Sequence, residues 1–157
     1  MTRKIALAAV ASLAATWALA AEVAPTEVMF EGGAVAASLT GVPGDPEAGA
    51  KVMTTASLGN CVACHLIEAM PAVQFPGTIA PALDGAADRW TEAELRGLLV
   101  NAKMTFDATF MPAFYKTEGF IRPGDGYTGK APESDLPPIL SAQQIENIVA
   151  YLLTLRD

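Results

Sequence analysis

Five consecutive residues constrain this chain more than any others: Cys61-Val62-Ala63-Cys64-His65. They hold the only two cysteines and the only histidine among 157 residues. Two thiols three positions apart, followed at once by an imidazole, form the C-x-x-C-H pattern of c-type haem attachment. The spacing has a chemical reason. The thiols add to the two vinyl groups on one edge of the haem, and the adjoining histidine ligates the iron. Covalent bonds then retain the cofactor, so its affinity does not rest on packing alone.

The same residues admit other readings. A thioredoxin-type redox pair also uses C-x-x-C, but it belongs to a βαβ setting, and no strand pattern precedes Cys61. A zinc site needs further cysteine or histidine ligands, and the chain has none. A structural disulfide between Cys61 and Cys64 closes only a very short loop.

Haem iron has a second axial position. A methionine thioether there raises the reduction potential and suits electron transfer, whereas an open position suits ligand binding. Bis-histidine ligation within the chain is excluded by the single histidine. Beyond the leader described below, the methionines are Met29, Met53, Met70, Met104 and Met111. Met29 precedes the first helix, Met53 belongs to that helix's apolar face, and Met70 follows His65 too closely to reach the opposite side of a ring. Met111 is the leading candidate. Pro112 restricts its backbone, and Phe110 and Phe114 flank it as apolar shields. Met104 is the alternative, and an open or foreign sixth site is the third option. On the side of His65, a backbone carbonyl near Pro81, in Gly77-Thr78-Ile79-Ala80-Pro81-Ala82-Leu83, is placed to accept the free Nδ1–H. Such a bond orients the ring and tunes the metal. The alternative for that stretch is an ordinary surface turn.

The first twenty residues carry a different signal. Arg3 and Lys4 precede an apolar run from Ile5 to Leu19, which ends in the small-x-small pattern Ala18-Leu19-Ala20. This order is that of a cleavable secretory signal peptide, cut after Ala20 or next after Ala21. The run is shorter than the roughly 20 residues of a membrane-spanning helix. A periplasmic location follows as the expectation, with no membrane span after cleavage. Loss of the leader leaves eight basic against 17 acidic side chains, so the formal charge moves from −7 to −9. That balance argues against nucleic-acid binding, which needs a basic footprint, and against electrostatic attachment to an anionic membrane surface.

Residues 21–43 read as an irregular N-terminal extension, and residues 44–157 as one domain. Asp45, Pro46 and Glu47 open a helix as N-cap, first helical residue and dipole partner. It is expected to end near Ser57–Gly59. Thr91 and Glu94 predict a capping box ahead of the apolar stripe Leu95, Leu98, Leu99 and Ala102. Ser141 and Gln144 predict a second box, ahead of Ile145, Ile148, Val149, Leu152 and Leu153 at helical spacing. Segments 66–90 and 103–140 are rich in proline and glycine. The class is all-α with long loops. Such loops within one domain are usually functional, and a large apolar prosthetic group supplies the surface they need to wrap. Trp90 is expected in the core or against the haem. Arg89, Arg96 and Arg122 are surface charges or propionate partners.

These elements together resemble the class I cytochromes c: the Asp45 helix, the C-x-x-C-H turn, Pro81 and Leu83, the Leu95 helix, Met111-Pro112 and the Ile145–Leu155 helix. In that family a glycine of the first helix packs on an aromatic of the last, and Gly49 and Tyr151 match those places. Met53 stands where the family often has an aromatic. Within the family, Gly77–Asp84, Phe110–Tyr115 and Leu136–Leu155 are similar to the SoxX-type monohaem subunits of SoxAX cytochromes, and the long segment between Met111 and Ser141 also fits. This resemblance implies one covalent haem c held by Cys61 and Cys64, with His65 and Met111 on the iron. It implies a heterodimer with a SoxA-like cytochrome subunit, which bears the reactive haem. The complex would couple thiosulfate oxidatively to a cysteine of a SoxYZ-like carrier, as an L-cysteine S-thiosulfotransferase. Electrons would pass to a soluble cytochrome c. The chain by itself would be an electron carrier. The alternative is a free-standing periplasmic shuttle. Segment 116–138, with Phe120, Ile121 and Tyr127, is either partner contact or a loop over the haem.

Overall fold

The computed structural model describes residues 21–120, 129–131 and 136–157. The expected leader, Arg122, Ile121 and Tyr127 lie outside them.

Helix α1 spans Pro46–Thr54. The Asp45 carboxylate accepts from the backbone N–H groups of Glu47 at 2.9 Å and Ala48 at 3.3 Å, and Pro46 takes the first helical position. The helix stops short of the expected end near Ser57–Gly59. Its threonines explain why. The Thr54 hydroxyl donates to the Ala50 and Lys51 carbonyls, and the Thr55 hydroxyl donates to the Lys51 carbonyl at 2.6 Å. Carbonyls that further helix would have used are thereby satisfied, and Thr55 turns extended. A short helix, α2, follows at Ala86–Arg89. Helix α3 is Glu92–Asn101 and α4 is Ala142–Leu152, each entered through the capping box its sequence predicts. No strand occurs among the described residues; one isolated bridge joins Glu31 and Ala34. The architecture is all-α, as expected.

The core forms where α1 crosses α4. Val52 and Met53 of α1 are buried against Ile145, Ile148, Val149 and Leu152 of α4, with Leu95, Leu99 and Val100 of α3 closing the cluster. The crossing is close because two positions lack side chains. A methyl on Gly49 would fall 2.1 Å from the Asn147 carbonyl oxygen, and one on Gly44 would fall 2.1 Å from that of Glu146. These are backbone atoms of a packed helix and cannot yield. Tyr151, the expected aromatic, is half-buried against the same core.

The extension is irregular, yet it is bound down along its length. Its Val35 and Leu39 are buried. Val23 N–H donates to the Leu39 carbonyl at 2.8 Å, and Val35 N–H to the Ala93 carbonyl at 2.9 Å. The Leu39 N–H donates to the Glu146 carboxylate at 2.7 Å. Arg96 corrects the expectation of a surface charge: only 2 % exposed, it bonds Glu146 through Nε at 2.9 Å and Nη2 at 3.0 Å. It also bonds the Glu92 carboxylate and the Val35 carbonyl. Burial opposes its charge, but Glu146 and Glu92 outweigh that and hold its pKa above the usual value. Arg96 is therefore spent on the fold and unavailable to a propionate.

Removing one member of a buried pair strands the other charge. Glu146→Ala is expected to lower stability by about 3–5 kcal/mol, measured by denaturant unfolding of the holo-protein. A loss below about 1 kcal/mol, the scale of an exposed pair, would contradict this account.

Candidate haem site

The C-x-x-C-H stretch sits on a tight turn directly after α1. Asn60 enters it in the left-handed region, at φ 47° and ψ 37°, which asparagine tolerates better than most residues. Cys61–Ala63 then form one 3-10 turn. The N–H groups of Cys64 and His65 both donate to the Cys61 carbonyl, at 3.1 and 2.9 Å. Both thiols and the imidazole thus belong to one turn. Neither cysteine is in a disulfide. Burial pushes the Cys61 thiol up to about 11, helped by the nearby Cys64. Thiol–disulfide exchange relies on a lowered thiol pKa, so the environment speaks against a redox pair.

A second segment lies along this turn and fixes the histidine. Gly77 N–H donates to the Val62 carbonyl at 2.8 Å, Ala80 N–H to that of Cys64 at 3.1 Å, and Leu83 N–H to that of Leu66 at 3.0 Å. In the middle of this ribbon the Pro81 carbonyl lies 2.6 Å from His65 Nδ1. A carbonyl can only accept, so Nδ1 carries the proton and Nε2 keeps its lone pair for a metal. The ribbon has its own supports. Both Asp84 carboxylate oxygens accept from the Glu68 N–H at 3.0 Å. Arg89, considered above for a propionate, donates to the carbonyls of Asp84 at 2.7 Å and Ala82 at 3.1 Å. Gly77 permits the close approach: a methyl there would fall 2.0 Å from the Ala63 carbonyl oxygen and 2.7 Å from Cys64 Cα. The sequence assigned no role to Gly77 or Asp84 individually, though Pro76-Gly77 and Asp84-Gly85 are turn signals.

The methionines separate by surroundings. Met53 is fully buried in the helix crossing, and Met29 is 79 % exposed. Met70 is half-buried against the core near the turn. Met104 ends the 3-10 turn Ala102–Met104 and is half-exposed. Met111 is half-buried against the core. Its N–H donates to the Thr109 hydroxyl at 3.2 Å, and its carbonyl accepts from Lys103 Nζ at 3.0 Å. The flanking aromatics divide: Phe114 is buried in the core, whereas Phe110 is fully exposed. Trp90 packs on the core and meets Phe106 edge to face, with centroids 6.1 Å apart.

A family model for cytochrome c matches residues 46–156. The chain belongs to the cytochrome c family. A chain of the crystal structure of SoxXA from P. pantotrophus is 66 % identical, with 87 % of this chain and 100 % of that one covered, at a TM-score of 0.83. No curated protein matches. The fold is that of a class I cytochrome c, and within the family the chain resembles SoxX. Membership implies a covalently bound haem c, and the donor set fits: two unpaired thiols on one turn, and an imidazole whose Nδ1 is locked on a carbonyl. No cluster of three or more His, Cys, Asp or Glu suited to a metal ion occurs among the described residues.

The ribbon contact is directly testable. Gly77→Ala drives a methyl into the Ala63 carbonyl, so haem incorporation should fall several-fold, read as pyridine haemochrome per mole of exported protein. Full incorporation would show that the ribbon adapts.

Proposed function

We propose that this chain is the monohaem electron-transfer subunit of a periplasmic SoxAX-type complex. In this reading Cys61 and Cys64 would form the two thioethers, His65 Nε2 and the Met111 thioether would ligate the iron, and the Pro81 carbonyl would fix the imidazole. The observation that carries it is the 66 % identity to a chain of SoxXA over that chain's full length. When bound, the haem supplies reversible one-electron chemistry. The protein's part is to hold it and set its potential. The Pro81 carbonyl makes His65 a better donor. A thioether opposite the imidazole raises the potential.

The remaining assignments follow from the same likeness. A SoxA-like subunit is the partner, a cysteine of a SoxYZ-like carrier receives thiosulfate, and a soluble cytochrome c takes the electrons. Cys61 and Cys64 are the only cysteines, and both are committed to the cofactor. No thiol remains for sulfur chemistry, so the bond-making step belongs to the partner. A leader ending at Ala20 directs the chain to the periplasm. Among the described residues no helix is long and apolar enough to cross a membrane.

Two experiments test the reading. Purified from its native host, the protein should co-elute with a second c-type cytochrome; elution alone would identify a free-standing shuttle. Met111→Ala should abolish the thioether–iron charge-transfer absorption and lower the reduction potential, while Met104→Ala should do neither. The reverse pattern would move the axial role to Met104.

A further inference from the structure

We infer that residues 22–40 of the N-terminal extension are a brace that positions the loop carrying Met111, with Tyr115 and Gly33 as its two points of hold. This rests on Met111 being the sulfur ligand.

The loop runs from the end of α3 to Tyr115. Its middle has little to hold it. Residues 103–108, Phe110 and Pro112 are exposed. Up to Met111 its hydrogen bonds are local: Phe106 N–H to the Ala102 carbonyl, Thr109 N–H to that of Phe106, Met111 N–H to the Thr109 hydroxyl, and Lys103 Nζ to the Met111 carbonyl; only at its far foot do the Phe114 and Tyr115 N–H groups reach the Leu99 and Val100 carbonyls of α3, at 3.2 and 3.3 Å. A loop of this kind is fixed at its feet or not at all, and segments with few buried contacts open first.

The extension touches both feet. At the first, Gly33 lies against the turn after α3. At φ +89°, it would place a methyl 2.3 Å from Thr105 Oγ1 and 3.3 Å from the Met104 carbonyl oxygen. It reaches that spot by crossing α3 at Gly97, where a methyl would fall 2.0 Å from the Gly33 carbonyl oxygen. At the second foot, the buried Tyr115 shares its single phenolic hydrogen between the Val23 carbonyl at 2.7 Å and the Glu22 carboxylate at 3.0 Å. Burial, then the Glu22 carboxylate, pushes this phenol up to about 12, so it remains a donor at neutral pH. Val23 is tied in turn to Leu39, and Leu39 to Glu146 of α4. The extension thus carries the rigidity of α3 and α4 to either side of Met111.

Tyr115→Phe keeps the ring and removes the hydroxyl, and Gly33→Ala perturbs the other foot. Both are examined as holo-proteins. Exogenous imidazole competes with the thioether for the iron, and its affinity reports how readily the loop lets go. Tyr115→Phe should bind imidazole about three- to tenfold more tightly, the range one lost hydrogen bond sustains. Amide hydrogen exchange should quicken over residues 105–114 in both variants while α4 stays protected. Unchanged imidazole affinity with unchanged exchange in the loop would overturn the brace, even if the thermal midpoint falls, because that pattern means general stabilisation only. Met111→Ala separates the two readings. If it leaves the charge-transfer absorption intact, the ligand assignment fails, and hydrogen exchange alone decides whether the extension holds the loop.

Discussion

The contact on which most of this structure depends is the buried pair of Arg96 and Glu146. Neither side chain is more than 5 % exposed. Between them they satisfy the Leu39 N–H and the Val35 carbonyl, so one ion pair joins α3, α4 and the extension. Buried pairs rarely add much net stability over apolar residues of the same volume, because desolvation opposes the attraction. What this pair does supply is register. A guanidinium with a fixed fork of donors meets its acceptors in one arrangement. Slip α4 by one residue and the Leu39 N–H loses its acceptor, while Arg96 keeps only the exposed Glu92 as counter-charge. The glycine contacts of α1 on α4 then have no place to fall either. Four short helices among the described residues, joined by long irregular segments, need such a pin.

The entries of α1, α3 and α4 were legible because each rests on local chemistry, whereas α2, which has no side-chain cap, was not. Asp45-Pro46, Thr91 with Glu94, and Ser141 with Gln144 state their roles within four residues. The C-x-x-C-H turn was legible for the same reason. The end of α1 was not, since the hydroxyls of Thr54 and Thr55 compete with further helix in a way the apolar pattern does not register. Arg96 was misjudged for a different cause. Its burial depends on Glu146, fifty positions away, and charge alone reads as solvated surface. The extension suffered likewise: its residues have no period because they are tied down by single contacts to three other elements.

The candidate site repeats this division. Three of the residues that would bond the cofactor lie within the Cys61–His65 turn, but those that aim them are scattered. Pro81 and Gly77 act through their backbone, a carbonyl that accepts from His65 and a close approach allowed, while the Asp84 carboxylate accepts from a backbone N–H and the Arg89 guanidinium donates to backbone carbonyls. A backbone partner leaves little trace in the sequence, because any residue can supply it. This explains how the ribbon could be anticipated at Pro81 yet missed at Gly77 and Asp84. It also explains why His65 is so well determined. A ring bonded through Nδ1 to a carbonyl, itself wired to the turn above and below, has one tautomer and one orientation.

On the proposed reading, the scarcity of donors in this chain assigns the labour between subunits. Joining thiosulfate to a thiol makes one sulfur–sulfur bond and releases two electrons and one proton. A carrier restricted to one-electron steps must be reduced and reoxidised twice for each bond made. Nothing in this chain can take part in the bond itself, since Cys61 and Cys64 are its only thiols. Its contribution is therefore kinetic: to keep a potential high enough to draw electrons away, and to reset quickly between them. Both depend on an axial ligand that neither leaves nor moves as the iron changes charge. A sulfur on an exposed loop is poorly suited to that unless the loop is held from outside. The acidic balance of the chain, 17 acidic against ten basic side chains, meets the other requirement. It favours rapid, salt-sensitive encounter with a basic acceptor rather than tight association, which is what a site visited twice per turnover demands.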